Sequence, residues 1–308
     1  MKTLAVVIIA YNEEKNIAKC LESVKQIADE IIVVDCESSD KTGAVAKKFT
    51  KNVYERPNNP LMKINMNYGF SKAKSDWIFS LDADEQVSPE LAKELQIVLE
   101  TENDVAGYSI PRKNIIFGKW IENSIWWPDY QLRLFKNGKG KFAEKHVHEQ
   151  LDVDGEVGKL EQPILHENYT AINQWLHKME IYTDNEAHQR IEKGEAIKPL
   201  DALRYPVHDF LQTYFLQKGY RDGLHGLVLS LLQAFYAEIV FAKMWEHQGF
   251  EQTKDPQFIK QVIAESHRLG QELSYWITTI AIENTTNTLG KTLLKIKRKA
   301  TLQKIHKK

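Results

Sequence analysis

Hydrophobic and polar residues follow two different patterns over the first 112 residues. Short apolar runs rich in valine and isoleucine, such as residues 3–10 and 30–35, predict buried strands. Between these runs, apolar residues recur at helical spacing, as at Ile17, Leu21 and Val24. The predicted strands lie at 3–10, 30–35, 52–55, 76–81 and 105–111, and the predicted helices at 14–27, 41–49, 63–74 and 89–100. This alternation predicts an α/β fold whose mostly parallel central sheet carries helices on both faces.

The pattern changes after residue 112. Short strands are predicted at 115–120, 131–135, 141–142 and 150–153. Asn137-Gly138 is typical of a hairpin turn. From residue 170 the spacing is helical to about residue 282, and Pro199 and Pro206 are expected to interrupt the helices. We therefore divide the chain into an α/β domain (1–170), a helical region (171–288) and a basic tail (289–308).

Charge is distributed unevenly along the chain. The 308 residues include 41 Lys and Arg against 42 Asp and Glu, yet eight cations and no acid follow Glu283. Leucine and isoleucine residues lie between these cations, so the tail resembles a segment that binds an anionic membrane surface. A solvated, frayed terminus is the alternative. Because the excess charge is confined to the tail, we expect no nucleic-acid partner.

Two further features concern the compartment. The apolar stretch at 224–245 has the length of a membrane span, but Glu238 lies near its middle, so we expect a buried or interfacial helix. Cys20 and Cys36 are too few for a disulfide framework or a four-thiolate zinc site. A reducing compartment is the simplest context for such a chain.

Polar clusters follow three of the predicted strands, at residues 11–14, 35–40 and 82–85. In a parallel sheet, ligands bind beyond the carboxyl ends of the strands, where these clusters lie. Asp82 and Asp84 leave a buried strand two residues apart, and such oxygen ligands suit Mg²⁺ or Mn²⁺ held together with substrate phosphates. The alternative is a solvated turn or a helix cap. The sequence contains neither a Gly-x-Gly-x-x-Gly fingerprint nor a Walker A lysine, which excludes the common dinucleotide and P-loop sites.

These clusters belong to a longer series of motifs. The segments are VIIAYNEE at 7–14, VVD at 33–35 with SSDKT at 38–42, NYG at 67–69 and LDADE at 81–85. In this order and spacing they resemble the family 2 glycosyltransferases, which have the GT-A nucleotide-sugar-binding fold. WPDYQLRLF at 127–135, HVHE at 146–149 and LHE at 165–167 resemble one subgroup, the β-1,4-glucosyltransferase-like enzymes of lipopolysaccharide core assembly.

The resemblance implies that a nucleotide-sugar donor binds at the sheet edge. Tyr11, Glu13 and Asp35 would hold its uracil and ribose, and Asn67 would lie near the same pocket. Cys36 departs from the family, which has serine or glycine after the aspartate; we expect it to line the pocket without taking part in chemistry.

Metal binding is implied for other positions. Asp82 would contact the ribose or a metal-bound water, and Asp84 would bind the cation, Mn²⁺ or Mg²⁺. His166 would complete the cation's shell or be purely structural. Arg133 would meet the diphosphate oxygens or pair with an acid on the sheet.

A single in-line displacement needs one base to take the acceptor's proton. Glu149 is the first candidate for this base, because enzymes of this fold supply their base just after the hairpin. Asp129 is the second candidate, and His148 would support one of them. For each of them, a surface position on the hairpin is the alternative. We therefore expect a metal-dependent inverting transferase that moves a hexose from a UDP-sugar to a glycan or lipid-linked acceptor. The resemblance to the subgroup implies that this hexose is glucose.

The acceptor expected from the subgroup is the lipopolysaccharide core, which places the protein in the cytoplasm, peripheral on the inner face of the cytoplasmic membrane. The same fold acting on a lipid phosphate or a peptide side chain is one alternative. A sugar-nucleotide nucleotidyltransferase is another, although the acidic loop at 11–14 differs from the basic phosphate loop that such enzymes carry. A non-catalytic sugar-binding protein is the third.

Overall fold

The protein is described by a computed structural model that covers residues 2–59, 62–143 and 150–306. The chain divides into two units. The α/β unit comprises Met1–Glu122 and Trp126–Ala171, and the helical unit comprises Asn123–Ile125 and Ile172–Lys308.

Strands and helices alternate through the first half of the α/β unit, and strands dominate its second half. The strands are β1 (Leu4–Ala10), β2 (Glu30–Asp35), β3 (Asn52–Glu55), β4 (Trp77–Asp82), β5 (Glu85–Val87), β6 (Gly107–Ile116), β7 (Lys119–Trp120), β8 (Asp129–Lys136), β9 (Gly140–Lys141), β10 (Asp152–Val153), β11 (Val157–Lys159) and β12 (Ile164–Tyr169). The helices are α1 (Ile17–Val24), α2 (Thr42–Ala46), α3 (Met62–Phe70) and α4 (Pro89–Glu100). Ser88 caps α4, because its hydroxyl accepts a hydrogen bond from the Leu91 N–H.

The central sheet has the order β3-β2-β1-β4-β8-β6-β12-β5. The β3, β2, β1 and β4 strands are mutually parallel, as are β6, β11 and β12. Antiparallel pairing joins β8 to its two neighbours and β5 to β12. The predicted fold class, an α/β unit with a mostly parallel sheet followed by helices, is confirmed.

Burial on both faces explains why β1 is apolar throughout. Leu4, Val6 and Ile8 belong to a core formed with α1 and α4, whereas Val7 and Ile9 belong to a second core formed with α3. Because successive side chains of a strand point to opposite faces, a strand with helices on both sides needs an unbroken apolar run.

Two details of the second half differ from the predictions. Two strands were predicted on either side of residues 112–114, but a single strand, β6, runs through this segment. The chain turns later, at Phe117-Gly118, where both φ angles are positive. The chain also turns at Asn137-Gly138, but β9 pairs with β10 and not with β8. A Cβ on Gly140 would lie 2.5 Å from the Phe135 ring, so the backbone of β9 rests on that ring instead of continuing the ladder.

The helical unit contains long helices and two short irregular turns. Its helices are α5 (Ile172–Glu192), α6 (Asp201–Phe210), α7 (Leu224–His247), α8 (Phe258–Asn284) and α9 (Thr288–His306), with a π-helical turn at Leu211–Leu216 and a 3₁₀ turn at Gly219–Asp222. The prediction that Pro206 interrupts a helix was wrong, because Pro206 lies inside α6. A proline removes one backbone hydrogen bond, and α6 keeps its packing along α7 despite that loss.

Within the described residues, α7 has the length and apolar composition of a membrane span. The final helix, α9, packs against α8 and exposes Leu289, Leu293 and Ile296 on one face. The spacing of these three residues matches successive turns of a helix.

Candidate active site

Strand pairing brings the three polar clusters to one edge of the sheet. In the register of β1, Ala10 lies beside Asp35 of β2 and Ile9 lies beside Asp82 of β4. Tyr11, Asp35 and Asp82 therefore follow neighbouring strand ends. Tyr11 is exposed at this edge.

The loops after β1 and β2 are tied together by hydrogen bonds. The Asn12 N–H donates to Ser38 Oγ at 2.9 Å, and the Ser39 N–H donates to Asn12 Oδ1 at 2.8 Å. The Glu13 N–H donates to Thr42 Oγ1 at 2.7 Å. Asn12 has a φ of 55°, a left-handed conformation that asparagine tolerates better than most residues. These bonds hold Tyr11 and Glu13 beside the end of β2.

Asp35 is buried and held in place by its own loop. The Ser38 N–H donates to Asp35 Oδ1 at 3.1 Å. A Cβ on Gly43 would lie 2.4 Å from Asp35 Oδ2, so the carboxylate occupies space that only glycine leaves open at that position. Cys36 does not line the pocket as predicted; it is fully buried, and Asn65 Nδ2 contacts its sulfur at 3.3 Å.

Asp82 belongs to a buried ion cluster under the sheet edge. Arg133 Nη2 lies 2.5 Å from Asp82 Oδ2 and 2.7 Å from Glu85 Oε1. Glu85 Oε2 accepts the Asp82 N–H at 2.9 Å. Of the two roles considered for Arg133, the structure therefore shows the second, pairing with acids on the sheet.

Burial and Arg133 set the protonation of these carboxyls. Burial would raise the pKa of Asp82, but the Arg133 guanidinium outweighs it and holds that pKa well below its usual range. Glu85 is completely buried, and burial, helped by the neighbouring Asp82 charge, raises its pKa even though Arg133 opposes the shift. The pKa values of the two carboxyls shift in opposite directions because Glu85 is more deeply buried than Asp82.

Asp129 is surrounded by hydrogen-bond donors. Its Oδ2 accepts from Arg112 Nε at 2.8 Å, from Arg112 Nη2 at 2.6 Å and from Asn114 Nδ2 at 3.2 Å, and its Oδ1 accepts from Gln131 Nε2 at 2.7 Å. Burial would raise the pKa of Asp129, but Arg112 and these hydrogen bonds lower it below its usual range. A carboxylate bound in this way is a weaker base than a free one.

Asp84 and His166 converge at the same edge. His166 is the partner of Glu85 in the antiparallel pairing of β12 with β5, and His166 Nε2 lies 3.5 Å from Asp84 Oδ2. His166 Nδ1 lies 2.7 Å from Asn114 Oδ1. The Asn114 Nδ2 group donates to the Trp126 carbonyl, so its Oδ1 is an acceptor and Nδ1 of His166 carries the proton. In the neutral ring, the Nε2 lone pair then faces Asp84.

Asn67, predicted to lie near the donor pocket, is hydrogen-bonded to the backbone of Phe142. Its Nδ2 donates to the Phe142 carbonyl at 2.9 Å and its Oδ1 accepts the Phe142 N–H at 3.0 Å. Asn67 thus holds the backbone that leads towards residues 144–149. Glu149 and His148 lie outside the described residues.

Three residues of the cluster were missed or undervalued by sequence reasoning: Arg112, Asn114 and Glu85. Arg112 and Asn114 are two residues apart in β6, so they share one face of that strand. Two polar residues at alternate positions of β6, on the same face of that strand, were the available signal. Together with Arg133, they link Asp82 to Asp84 through one continuous set of polar contacts.

The cluster contains charges of both signs. Asp82, Asp84, Glu85 and Asp129 provide four carboxyls, beside the guanidiniums of Arg112 and Arg133 and the Lys63 ammonium, whose charge also lowers the pKa of Asp82. No group of three or more His, Cys, Asp or Glu residues with metal-binding geometry occurs in the part of the chain that the structure describes. The structure does bring together Asp84 and His166, the two residues that were predicted as cation ligands.

Comparison with known families identifies the α/β unit that carries this sheet edge. Residues 5–151 match the family model described as Glycosyl transferase family 2. The chain thus contains a family 2 glycosyltransferase domain, and the resemblance drawn from its motifs is confirmed.

Among its relatives is the lipopolysaccharide core biosynthesis glycosyltransferase LpsC of Rhizobium meliloti, 26% identical over 80% of this chain and 94% of that protein. An uncharacterized glycosyltransferase of Rickettsia typhi is 28% identical over 80% of this chain and 88% of that protein.

Solved structures with related folds are more distant. The crystal structure of S. aureus TarS 1–349 in complex with UDP has a TM-score of 0.42 and 13% identity, over 78% of this chain and 91% of that one. Glucosyl-3-phosphoglycerate synthase from Mycobacterium tuberculosis, in complex with Mn²⁺ and UDP-glucose, has a TM-score of 0.31 and 22% identity, over 38% of this chain and 44% of that one.

Proposed function

We propose that this protein is a metal-dependent, inverting glycosyltransferase that moves glucose from UDP-glucose to a sugar of the lipopolysaccharide core. The relationship to LpsC, along nearly the whole length of that protein, supports the acceptor class. The match to the family 2 model argues against the alternative of a nucleotidyltransferase.

The observation that carries the proposal is the pair formed by Asp84 and His166. Asp84 Oδ2 and His166 Nε2 lie 3.5 Å apart, and Asn114 holds the histidine in the tautomer that leaves Nε2 unprotonated. The donor set of one carboxylate and one imidazole fits Mn²⁺ or Mg²⁺. A bound cation would neutralise the charge that develops on the leaving diphosphate.

The residues around this pair have separate tasks in the proposal. Tyr11, Glu13 and Asp35 bind the uridine at the ends of β1 and β2. Asp82 faces the ribose, and Arg133 keeps its carboxylate ionised and in place.

Glu149 stays our proposal for the base, since Asp129 is disfavoured by its four hydrogen bonds and lowered pKa. Glu149 takes the proton of the acceptor hydroxyl as that oxygen attacks the anomeric carbon, and the nucleoside diphosphate leaves from the opposite side. One displacement inverts the anomeric centre.

Hydrolysis of UDP-glucose by the purified full chain with and without Mn²⁺ tests the metal role. Asp84→Asn should abolish the metal-dependent rate, whereas Asp154→Asn, an exposed carboxylate on the same unit, should leave it unchanged. Equal rates for wild type and a folded Asp84→Asn variant would refute the role of Asp84. A wild-type rate that survives excess chelator would refute metal dependence.

The membrane face is part of the proposal as well. Helix α9 exposes Leu289, Leu293 and Ile296 among the tail's cations, a combination that suits an anionic lipid surface on the cytoplasmic side. Sedimentation with vesicles that contain phosphatidylglycerol should show binding that falls as salt rises, since the Debye length is about 8 Å at physiological ionic strength. Binding that ignores both lipid charge and salt would refute this part of the proposal.

A further inference from the structure

The helical unit contains a cavity of about 460 Å³ whose walls come from α5, α6, α7 and α8. This volume lies within the range of small-molecule sites, roughly 300–1,000 Å³. Its lining is rich in charged and polar groups, although the interior of a helical unit is usually apolar.

The arginines on the wall are already neutralised. Arg190 lies 2.6 Å from Glu186, and Arg204 and Arg268 each lie 2.7 Å from Glu265. Because these guanidinium charges are compensated by neighbouring carboxylates, the cavity does not offer the unpaired cations that an anionic ligand would need. The polar walls equally disfavour an apolar ligand.

Asp209 and Gln233 differ from these paired groups. Within the described residues, the Asp209 carboxylate accepts a long hydrogen bond of 3.4 Å from Gln233 Nε2. Burial raises the pKa of Asp209. Asp209 is half-buried, so its carboxylate oxygens can accept further hydrogen bonds from a ligand in the cavity.

Two tyrosines complete the lining. Tyr205 and Tyr236 both face the cavity, and the Tyr236 hydroxyl donates to Glu186 at 2.8 Å. Aromatic rings pack against the C–H faces of sugars, while carboxylates and amides bind their hydroxyl groups. Neutral carbohydrate is thus the ligand class that satisfies the cavity's polar groups without adding charge.

We propose that this cavity is a carbohydrate subsite that holds a neutral sugar of the acceptor glycan. The inference rests on the proposed function, which makes the acceptor a glycan. A hydroxyl of that sugar donates to Asp209, and another accepts from Gln233 Nε2. The subsite acts on acceptor affinity and takes no part in the displacement itself.

The test measures transfer from UDP-glucose to lipopolysaccharide core oligosaccharide freed of its lipid, with the full chain and Mn²⁺. Asp209→Leu keeps the branched shape of the side chain but removes the carboxylate. We expect the acceptor KM to rise on the order of tenfold, the loss of one hydrogen bond to a charged group, with kcat and donor hydrolysis unchanged. The melting temperature should stay the same or rise, because a poorly paired buried carboxyl is removed.

Gln233→Leu gives a second, independent variant and should raise the acceptor KM in the same direction. Asp184→Leu is the matched control: Asp184 is an exposed carboxylate on α5 that pairs with Lys243 and does not line the cavity. Its acceptor KM should equal that of wild type.

The outcomes separate this inference from the proposed function. A wild-type acceptor KM in folded Asp209→Leu and Gln233→Leu overturns the subsite alone. A lower melting temperature with unchanged KM means that the two residues serve only the fold, and it overturns the subsite too. A wild-type protein that hydrolyses no UDP-glucose, or that hydrolyses it but transfers none to the oligosaccharide, overturns the proposed function, and the subsite fails with it.

Discussion

Replacement of Arg133 by Met removes the cation that neutralises Asp82 and Glu85. Arg133 Nη2 lies 2.5 and 2.7 Å from the two carboxylates, its side chain is 8% exposed, and that of Glu85 is fully buried. Removal of one partner from a buried pair costs about 3–5 kcal/mol, because the remaining charge is left uncompensated. The exposed pair of Lys139 and Asp154 has the same 2.7 Å separation, so Lys139→Met is the matched control, with an expected loss of about 0–1 kcal/mol.

Urea unfolding of the full chain, followed by tryptophan fluorescence and circular dichroism, measures both losses. Burial raises the pKa of Glu85, and a group with a raised folded pKa loses stability as pH increases. Without Arg133, the loss should therefore grow as pH rises above about 4.5, the ordinary pKa of a glutamate, and Glu85→Gln in the Arg133→Met background should recover part of it. Equal losses in Arg133→Met and Lys139→Met, or no recovery in the double variant, would refute the reasoning.

Three further predictions concern single side chains. Gly43→Ala should weaken UDP binding on the order of tenfold by calorimetry, because its Cβ would displace the Asp35 carboxylate; unchanged affinity would contradict this. Asn114→Leu should raise the Mn²⁺ concentration for half-maximal UDP-glucose hydrolysis roughly 10–100-fold, since His166 loses its Nδ1 partner; an unshifted Mn²⁺ curve would count against the metal role. Two arginines lower the pKa of Glu265 to about 2, so Glu265→Gln should lower the free energy of unfolding at pH 7 by about 3 kcal/mol, measured in urea. The difference should shrink as pH falls from about 4.5 towards 2. A difference that does not depend on pH would exclude the ion pairs as its cause.

Several parts of the donor site were accessible from the sequence. Unbroken apolar runs identified β1, β2 and β4, because a strand with helices on both faces cannot alternate. Since parallel strands end at the same edge, the polar residues after each run were expected to meet, and the register of β1 with β2 and β4 brings them together.

Other features depended on pairings that no local pattern contains. His166 reaches Asp84 because β12 pairs with β5, although the two residues are 82 positions apart. Asn67 likewise bonds to the backbone of Phe142, 75 residues away. The cavity in the helical unit likewise forms only where four helices converge.

Arg133 separates what the sequence determines from what the folded structure determines. The sequence alone determined that Arg133 sits in a strand and is charged, and it left a phosphate and a carboxylate as equally suitable partners. Only the tertiary structure reveals a carboxylate partner, because β8 pairs with β4 and so brings Arg133 within 2.5 Å of Asp82. Secondary structure follows from periodicities within a few residues, whereas the partner of a charge depends on which strands become neighbours in the folded sheet.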